Sequence, residues 1–498
     1  MTITEPPPFF DEALLHDEDW ISHAGLLATN LNDLVSMRLG EMSIDFSNSQ
    51  NTIPPTELFM TEFVQDKSDI HHNVPVDYIK VSPKHQPYLN EFYHWFAKVI
   101  LPFSAHFNGV DLNPVRDVLL TYAARERYLL LALLACGATS SHKKTSLAAD
   151  ELAYGEYLTT CIQSLEPIFN VETTLVSKIE SILLTVLVLT SDHASSSNQN
   201  WRAHLQGAKE LLLKYTSQSK QSHVLFLCKS WYSSIELLAA LGAPNGGTLR
   251  SDRELELLIS PDNPVEMKSL TQLHLYGPNG FSLLHGYSKQ LVTLIRDMVK
   301  LLHKTRPWND DRKSLPSGAD NRSMDLISYK EVLRVLSGLY QQLDYTVGDP
   351  SPLNGLSSEA VEIVKQNNKQ VSICWYDVSN KSYTLAALIT MFTSVQGLSK
   401  HSPIVQGAVK ELLSLVNFLD GRVESYGTFM LQLPMFVAGY NVIDDSDAAK
   451  IERFFKLLDE LGAGSANHVL KKMKKVWGGA YSSEAATSGD DEKDILAY

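Results

Sequence analysis

Cysteine is scarce in this sequence. The four residues, Cys136, Cys161, Cys228 and Cys374, lie too far apart for the C-x-x-C spacing of a zinc site or a dithiol redox motif. Each sits among apolar neighbours, as in LLACGA and FLCKSW, the usual setting of a buried free thiol. Basic charge is also short: 43 Lys and Arg stand against 57 Asp and Glu, a net charge of −14. Phosphate contacts need clustered cations, so direct nucleic-acid binding is not expected of this chain. Long hydrophobic runs are missing as well. The longest, at 182–189, follows Lys178 and Glu180 and falls short of the roughly 20 residues of a membrane span. The stretch MTITEPPPFFDEALLHDEDW is acidic and proline-rich, without the basic and apolar regions of a secretory signal. These absences predict a soluble, intracellular chain with no membrane partner.

Catalytic motifs are equally thin. GAPNGGT at 242–248 has the glycines of a phosphate-cradling loop but not the Gly-Lys-Ser/Thr that holds phosphate and magnesium. Gly286, Tyr287 and Ser288 are followed by Lys289 and Gln290, which excludes a nucleophile elbow. Ser191, Asp192 and His193 are neighbours in a serine-rich run that reads as a loop, and adjacency in sequence is not triad geometry. His71 and His72 lie beside Asp69 without a further ligand at helical spacing. Asp444, Asp445 and Asp447 open a helix but do not complete a D-D-x-x-D motif, and Asp310 and Asp311 fall in a loop-like stretch. The expectation is no catalytic residue, no metal and no cofactor in this chain.

What is present is helical periodicity. Residues 128–134 are apolar nearly all round, as in a central buried helix, and 180–190 repeat that character. Leu412, Leu413, Leu415, Val416 and Leu419 form one amphipathic stripe. Ile451, Phe454, Phe455, Leu458 and Leu461 form another, with Gly462 placed as its C-cap. Alternation of period two is confined to a strand-like segment at 371–376. The fold class is therefore all-α, a large multi-helix array. Ser-, Asn-, Gly- and Pro-rich breaks fall at 47–56, 191–200, 216–222, 244–248, 305–322 and 348–358. The expected organisation is a partly disordered acidic segment with a short helix at 1–80, a helical body at 81–480 and a disordered acidic tail at 481–498.

Four segments in order carry a family resemblance. RERYLLLALLACGATSSHKKTSLAADELAYGEYLTTCIQSLEPI (125–168) pairs a long apolar helix with one rich in Ala and Tyr. SILLTVLVLTSDHASSSNQNWRAHLQGAKELLLKY (181–215) gives an apolar helix, a variable loop and W-R-x-H-L-x-G-A-x-x-L-L. YGPNGFSLLHGYSKQLVTLIRDMVKLLHK (276–304) supplies a G-F-S segment before a helix. LPMFVAGYNVIDDSDAAKIERFFKLLDELGAGSANHVLKKMKKVW (433–477) supplies P-x-F-x-A-G, an acidic turn, an amphipathic helix and a closing Trp. Together they resemble the fungal-specific transcription factor domain, the helical regulatory region of fungal binuclear zinc-cluster regulators. YLNEFYHWFAKVILPF (88–103) and NLNDLVSMRLGEM (30–42) are similar to regulators of the lysine-biosynthesis-activator type.

The resemblance implies a nuclear, regulatory part of an RNA polymerase II transcription factor that senses an effector and recruits co-regulators. A pathway metabolite is an implied small-molecule partner, and a homodimer an implied assembly. A helical interaction scaffold without an effector site is the alternative, and an all-α enzyme a distant third. The six-cysteine zinc cluster that reads DNA is not in this sequence, so zinc belongs to an absent module and DNA is reached only through it or through a partner. The family-motif residues are Trp201, Arg202, Leu205, Gly207, Ala208, Pro434, Phe436, Gly439 and Trp477. Their expected role is architectural: small residues let helix backbones approach, and Trp201 anchors the start of its helix.

Overall fold

The structure is a computed structural model that describes residues 72–107, 110–195, 201–215, 222–243, 245–305, 329–345, 361–366, 369–417, 426–463, 465–477 and 496. Asp69, His71, Asp310 and Asp311, the expected N-terminal segment up to residue 71, and nearly all of the expected tail lie outside these residues. Within the tail Leu496 is described, and only 1% of it is exposed.

Among the described residues the secondary structure is helical apart from two-stranded pairs, as the periodicity requires. The chain divides into two compact units. One is built on Leu112–His193, with the residues up to Ile100 and from Asn200 to Tyr232; the other on Ser233–Tyr498, with Leu101–Asp111 and Ala194–Gln199.

In the first unit, α1 (Gln86–Glu91) runs through a π-helical turn at Phe92–Phe96 into α2 (Ala97–Ile100). Helices α3 (Pro114–Ala123), α4 (Arg127–Thr145), α5 (Ala148–Phe169), α6 (Glu172–Ser177), α7 (Ile179–Ser195) and α8 (Trp201–Tyr215) follow. Asn113 caps α3 by accepting from the Arg116 N–H at 2.9 Å, with Pro114 in the first turn where a missing N–H costs nothing. Helix α4 has no polar side until its last turn, and every residue from Tyr128 to Ser140 is buried. An all-apolar helix has to be covered on every side, which places α4 at the centre of this unit. Helix α1 crosses α4 at Gly137 so closely that a Cβ there would lie 2.0 Å from the Tyr88 carbonyl oxygen.

A clamp fixes the segment before α1. Asp117 on α3 accepts from the Asn73 N–H at 2.7 Å and the Val74 N–H at 3.3 Å, and pairs with Arg116 at 3.0 Å. Burial raises the Asp117 pKa against the opposing pull of Arg116.

Helix α9 (His223–Gly242) begins in the first unit and ends in the second. It has the length and composition to cross a membrane, but 94% of its apolar window is buried within the protein. Lys229 and Glu236 interrupt its apolar residues, so no unbroken run marks it in the sequence. A mostly buried helix of this kind is what a large core needs.

The second unit continues with α10 (Asp252–Leu258), α11 (Pro264–Gln272), β3 (Phe281–Ser282), β4 (Tyr287–Ser288), α12 (Lys289–Thr305) and α13 (Tyr329–Leu343); β1 (Ala105–Phe107) and β2 (Val110–Leu112) form a short earlier pair. Then come β5 (Val361–Gln366), β6 (Lys369–Cys374), α14 (Trp375–Thr390), α15 (Pro403–Ser414), α16 (Gln432–Asn441), α17 (Asp445–Glu460) and α18 (Ala466–Trp477). The strand-like segment at 371–376 is thus half right. Residues up to Cys374 pair antiparallel with Val361–Gln366, while Trp375 and Tyr376 open a helix. Gly462 ends α17 as expected, at φ +90°, with the Ala463 N–H reaching Leu458 O at 2.9 Å and the Gly462 N–H reaching Asp459 O at 2.9 Å. That is the Schellman pattern.

Helix α14 is the second unit's central helix. Tyr376 stacks on Phe281 at 4.2 Å between centroids, and Phe103 meets Tyr376 edge-on at 5.2 Å. Ser379 donates to Gly286 O at 2.6 Å, and Asn380 accepts from the Ser288 N–H at 2.9 Å. The β3–β4 turn is thereby pinned to α14.

The α1–α4 crossing makes a direct test. Gly137→Ala should destabilise the first unit by about 1–3 kcal/mol or more, because the clash is with backbone rather than a flexible side chain. Urea unfolding checks it, and a wild-type midpoint in the variant would contradict the crossing.

Candidate functional site

The chemistry-bearing clusters of the sequence are built into the interior. Ser191, Asp192 and His193 are not on a loop. Helix α7 continues through them to Ser195, and all three are at most 1% exposed. His193 Nδ1 lies 3.1 Å from His204 Nε2 on α8, and its Nε2 lies 3.1 Å from the Tyr154 hydroxyl on α5. These contacts tie three helices together through a chain of hydrogen bonds. Burial pushes the His204 pKa down to about 4, so the imidazole is neutral at physiological pH and serves as a donor and acceptor. Sequence reasoning missed His204. The signal was available: with Trp201, Leu205 and Ala208 it completes an i, i+3, i+4, i+7 face, and all four are buried. Lys209, on the same helix, is only 6% exposed.

A second interior histidine joins the start of the other unit to its turn. His285 Nε2 lies 3.1 Å from Ser233 Oγ and its Nδ1 lies 2.8 Å from Ser282 Oγ. Burial lowers its pKa to about 3. Ser-His neighbours could suggest a nucleophile and base, but all three residues are at most 5% exposed and no substrate can reach them.

The glycine-rich loop is filled by the protein's own carboxylate. Glu236 on α9 accepts from the Thr248 N–H at 2.7 Å, the Thr248 hydroxyl at 2.8 Å and the Leu249 N–H at 2.9 Å. Gly247 permits this approach, since a Cβ there would meet Glu236 Oε1 at 1.8 Å. Amides that a phosphate-binding loop would leave for its ligand are spent here on closing a turn.

Ser288 serves structure too, accepting from the Leu291 N–H at 3.2 Å and donating to Gln342 at 2.8 Å. The four cysteines are free and buried. Burial raises the Cys161 thiol to about 12 and lifts Cys136 and Cys228 well above the ordinary thiol range, which makes them poor nucleophiles. Among the described residues, no group of three or more His, Cys, Asp or Glu is placed to hold a metal ion. His72, the described member of its pair, is exposed.

The motif residues fall at two places. On α8, Trp201, Leu205, Gly207 and Ala208 are buried, and the Arg202 guanidinium lies 4.6 Å from the Trp201 ring centroid. In the second unit, Pro434 sits in the first turn of α16, and Phe436 is 5% exposed with Tyr440 4.8 Å away. Gly439 meets α18 closely: a Cβ there would come within 2.2 Å of Met473 Sδ, and its carbonyl accepts from Trp477 Nε1 at 2.8 Å. The glycine and the closing tryptophan therefore make one joint.

Two clefts open beside α17. One, of about 330 Å³, is lined by Lys410, Ser414, Asn417, Asp444, Ser446, Asp447 and Lys450. Its lysines are already matched, Lys450 to Asp447 at 2.8 Å and Lys410 to Asp444 at 3.6 Å. The other, of about 280 Å³, is lined by Phe455, Lys456, Asp459, Asn467, Leu470, Lys471 and Lys474. Both are charged at the rim, unlike the mostly apolar pocket expected between helices for a metabolite.

The neutral interior histidines set an acid limit on stability. His204 binds protons in the unfolded chain near pH 6.5 but in the folded one only near 4. Its contribution is complete above 6.5 and is lost as pH falls toward 4, by on the order of 3 kcal/mol. His204→Gln should therefore unfold with a shallower loss between pH 7 and 4.5 than the wild type. Parallel urea midpoints at the two pH values would show that His204 does not titrate this way.

Residues 87–484 match the fungal specific transcription factor domain. The chain is 28% identical, over 95% of its own length, to the lysine biosynthesis regulatory protein of Saccharomyces cerevisiae, and it spans 64% of that relative's length. No solved structure matches it. With a match across most of its length and an all-helical architecture, the chain belongs to the fungal specific transcription factor domain family, whose domain is regulatory.

Proposed function

We propose that this chain is the effector-sensing and co-regulator-recruiting part of a nuclear RNA polymerase II transcription factor. The observation that carries the reading is the 87–484 match, taken together with an interior whose polar clusters are used for packing. Ser-His and His-His groups that an enzyme would expose are sealed here, which leaves surfaces as the working parts. DNA is reached through a zinc-cluster module outside this sequence or through a partner. The relative's role in lysine biosynthesis makes genes of that pathway the proposed targets and an intermediate of it the proposed effector. A body at 81–480 flanked by an acidic N-terminal segment and an acidic tail is the proposed organisation, with Trp201, Arg202, Leu205, Gly207, Ala208, Pro434, Phe436, Gly439 and Trp477 as its frame. A homodimer is the proposed assembly.

Control would work by population shift: an effector that favours one arrangement of the helices changes transcription only by its difference in affinity between arrangements. Fusion of residues 72–498 to an unrelated DNA-binding module should change expression of a reporter carrying that module's site, and the change should respond to lysine-pathway intermediates. A fusion that is expressed and folded yet leaves the reporter at the level of the bare module would refute the reading.

A further inference from the structure

The α17–α18 cleft differs from the cleft at the other end of α17 in having one cation, Lys471, more than its carboxylates match. Helix α18 carries Lys471, Lys472, Lys474 and Lys475 and no acidic residue, in a chain whose net charge is −14. Helical spacing sets Asn467, Lys471 and Lys474 on one rim and Lys456 and Asp459 on the other, with Phe455 and Leu470 between them. Glu452 on α17 holds Lys456 at 2.9 Å and Lys474 at 2.7 Å, so one carboxylate is shared by two ammonium groups. Lys471 is exposed and joins no ion pair among the described residues. Phe455 is fully buried and Leu470 is 6% exposed, so the floor is set by the core and does not depend on a ligand.

We propose that this cleft is a docking site for a short acidic segment of a partner protein, one that carries a large aliphatic or aromatic side chain among its carboxylates. The inference rests on the co-regulator reading above and names the chemistry of that partner. Carboxylates would lie against Lys471 and Lys474, the side with positive charge in excess. The apolar side chain would lie over the exposed edge of Leu470 and the methylene stems of Lys456 and Lys474, with Phe455 beneath them. Charge complementarity of this kind sets association rate and selectivity more than depth of affinity, which suits a partner that comes and goes. Nucleic acid fits less well. A duplex presents phosphate on both sides of any groove it enters and could not keep its charge away from Asp459, whereas a peptide can. The matched Lys-Asp cleft at the other end of α17 has no such excess and serves as the internal control.

The test uses the whole chain and a fluorescein-labelled peptide of Asp and Glu residues around one Phe, followed by anisotropy. Saturable binding is expected, weakened at least ~tenfold by Lys471→Glu and strengthened by Asp459→Asn. Lys450→Glu, in the other cleft, should leave it unchanged. Both altered side chains in the docking cleft are exposed, and an unchanged melting curve verifies that each variant folds. Absence of saturable binding overturns the proposal. So does equal binding of a peptide with Ser in place of Phe, or tighter binding of a DNA duplex of matched charge. If the reporter fusion regulates while the peptide does not bind, the cleft assignment falls and the regulatory function stands. If the fusion itself is silent, the broader reading has failed first, and the peptide result is then judged only as binding.

Discussion

Each compact unit is organised by a helix that has no face to show to water. In one it is α4, whose residues from Tyr128 to Ser140 are all buried; in the other it is α14, buried from Tyr383 to Thr390 and over most of its first turns. Burying a Leu side chain is worth roughly 1.5–3 kcal/mol, and α4 alone contains Leu129, Leu130, Leu131, Leu133 and Leu134 at 0% exposure. Leaving any side of such a helix uncovered would forfeit a stabilisation comparable to the whole net stability of a domain. The surrounding helices are amphipathic because their task is to supply that cover.

The two central helices solve the problem differently. Helix α4 buries almost nothing polar before its last turns. Helix α14 buries Ser379, Asn380, Ser382 and Thr384, and three of these make hydrogen bonds that fix its neighbours or its own backbone: Ser379 to Gly286, Asn380 to Ser288, and Thr384 to Asn380. A buried polar group without a partner is costly, so these bonds also specify which turn can sit against the helix. The same logic explains the interior histidines. His204 and His285 stay neutral because burial disfavours their charged forms; His204 links α8 to α7 through Nε2, and His285 joins Ser233 and Ser282 through its two ring nitrogens. Chemistry that looks catalytic in a motif search is in this molecule a means of holding helices in register.

The interior polar clusters are committed to packing, and the charged clefts lie at the surface beside α17. The excess of lysine on α18 lies beside the joint where Trp477 donates to the Gly439 carbonyl. A contact made on α18 is therefore one hydrogen bond away from α16, whose Phe436 and Leu433 pack on Gly242. This continuity gives a physical route by which an event at the cleft could bias the packing of the unit.

Periodicity and composition were enough to establish the helical class, the central position of α4, the buried thiols and the Gly462 cap, because each is a local property of spacing or backbone freedom. The ordered motif segments also carried the family. Tertiary structure decided the rest. The run Ser191-Asp192-His193 looked like a loop because serine and aspartate favour turns, yet the contacts of His193 with Tyr154 and His204 hold it in helix α7. The pairing of 361–366 with 369–374 needed a partner strand that local pattern did not reveal. That Lys474 shares Glu452 with Lys456 depends on the packing of α18 against another helix. Sequence spacing determines what lies on one face of one element; only packing determines what that face meets.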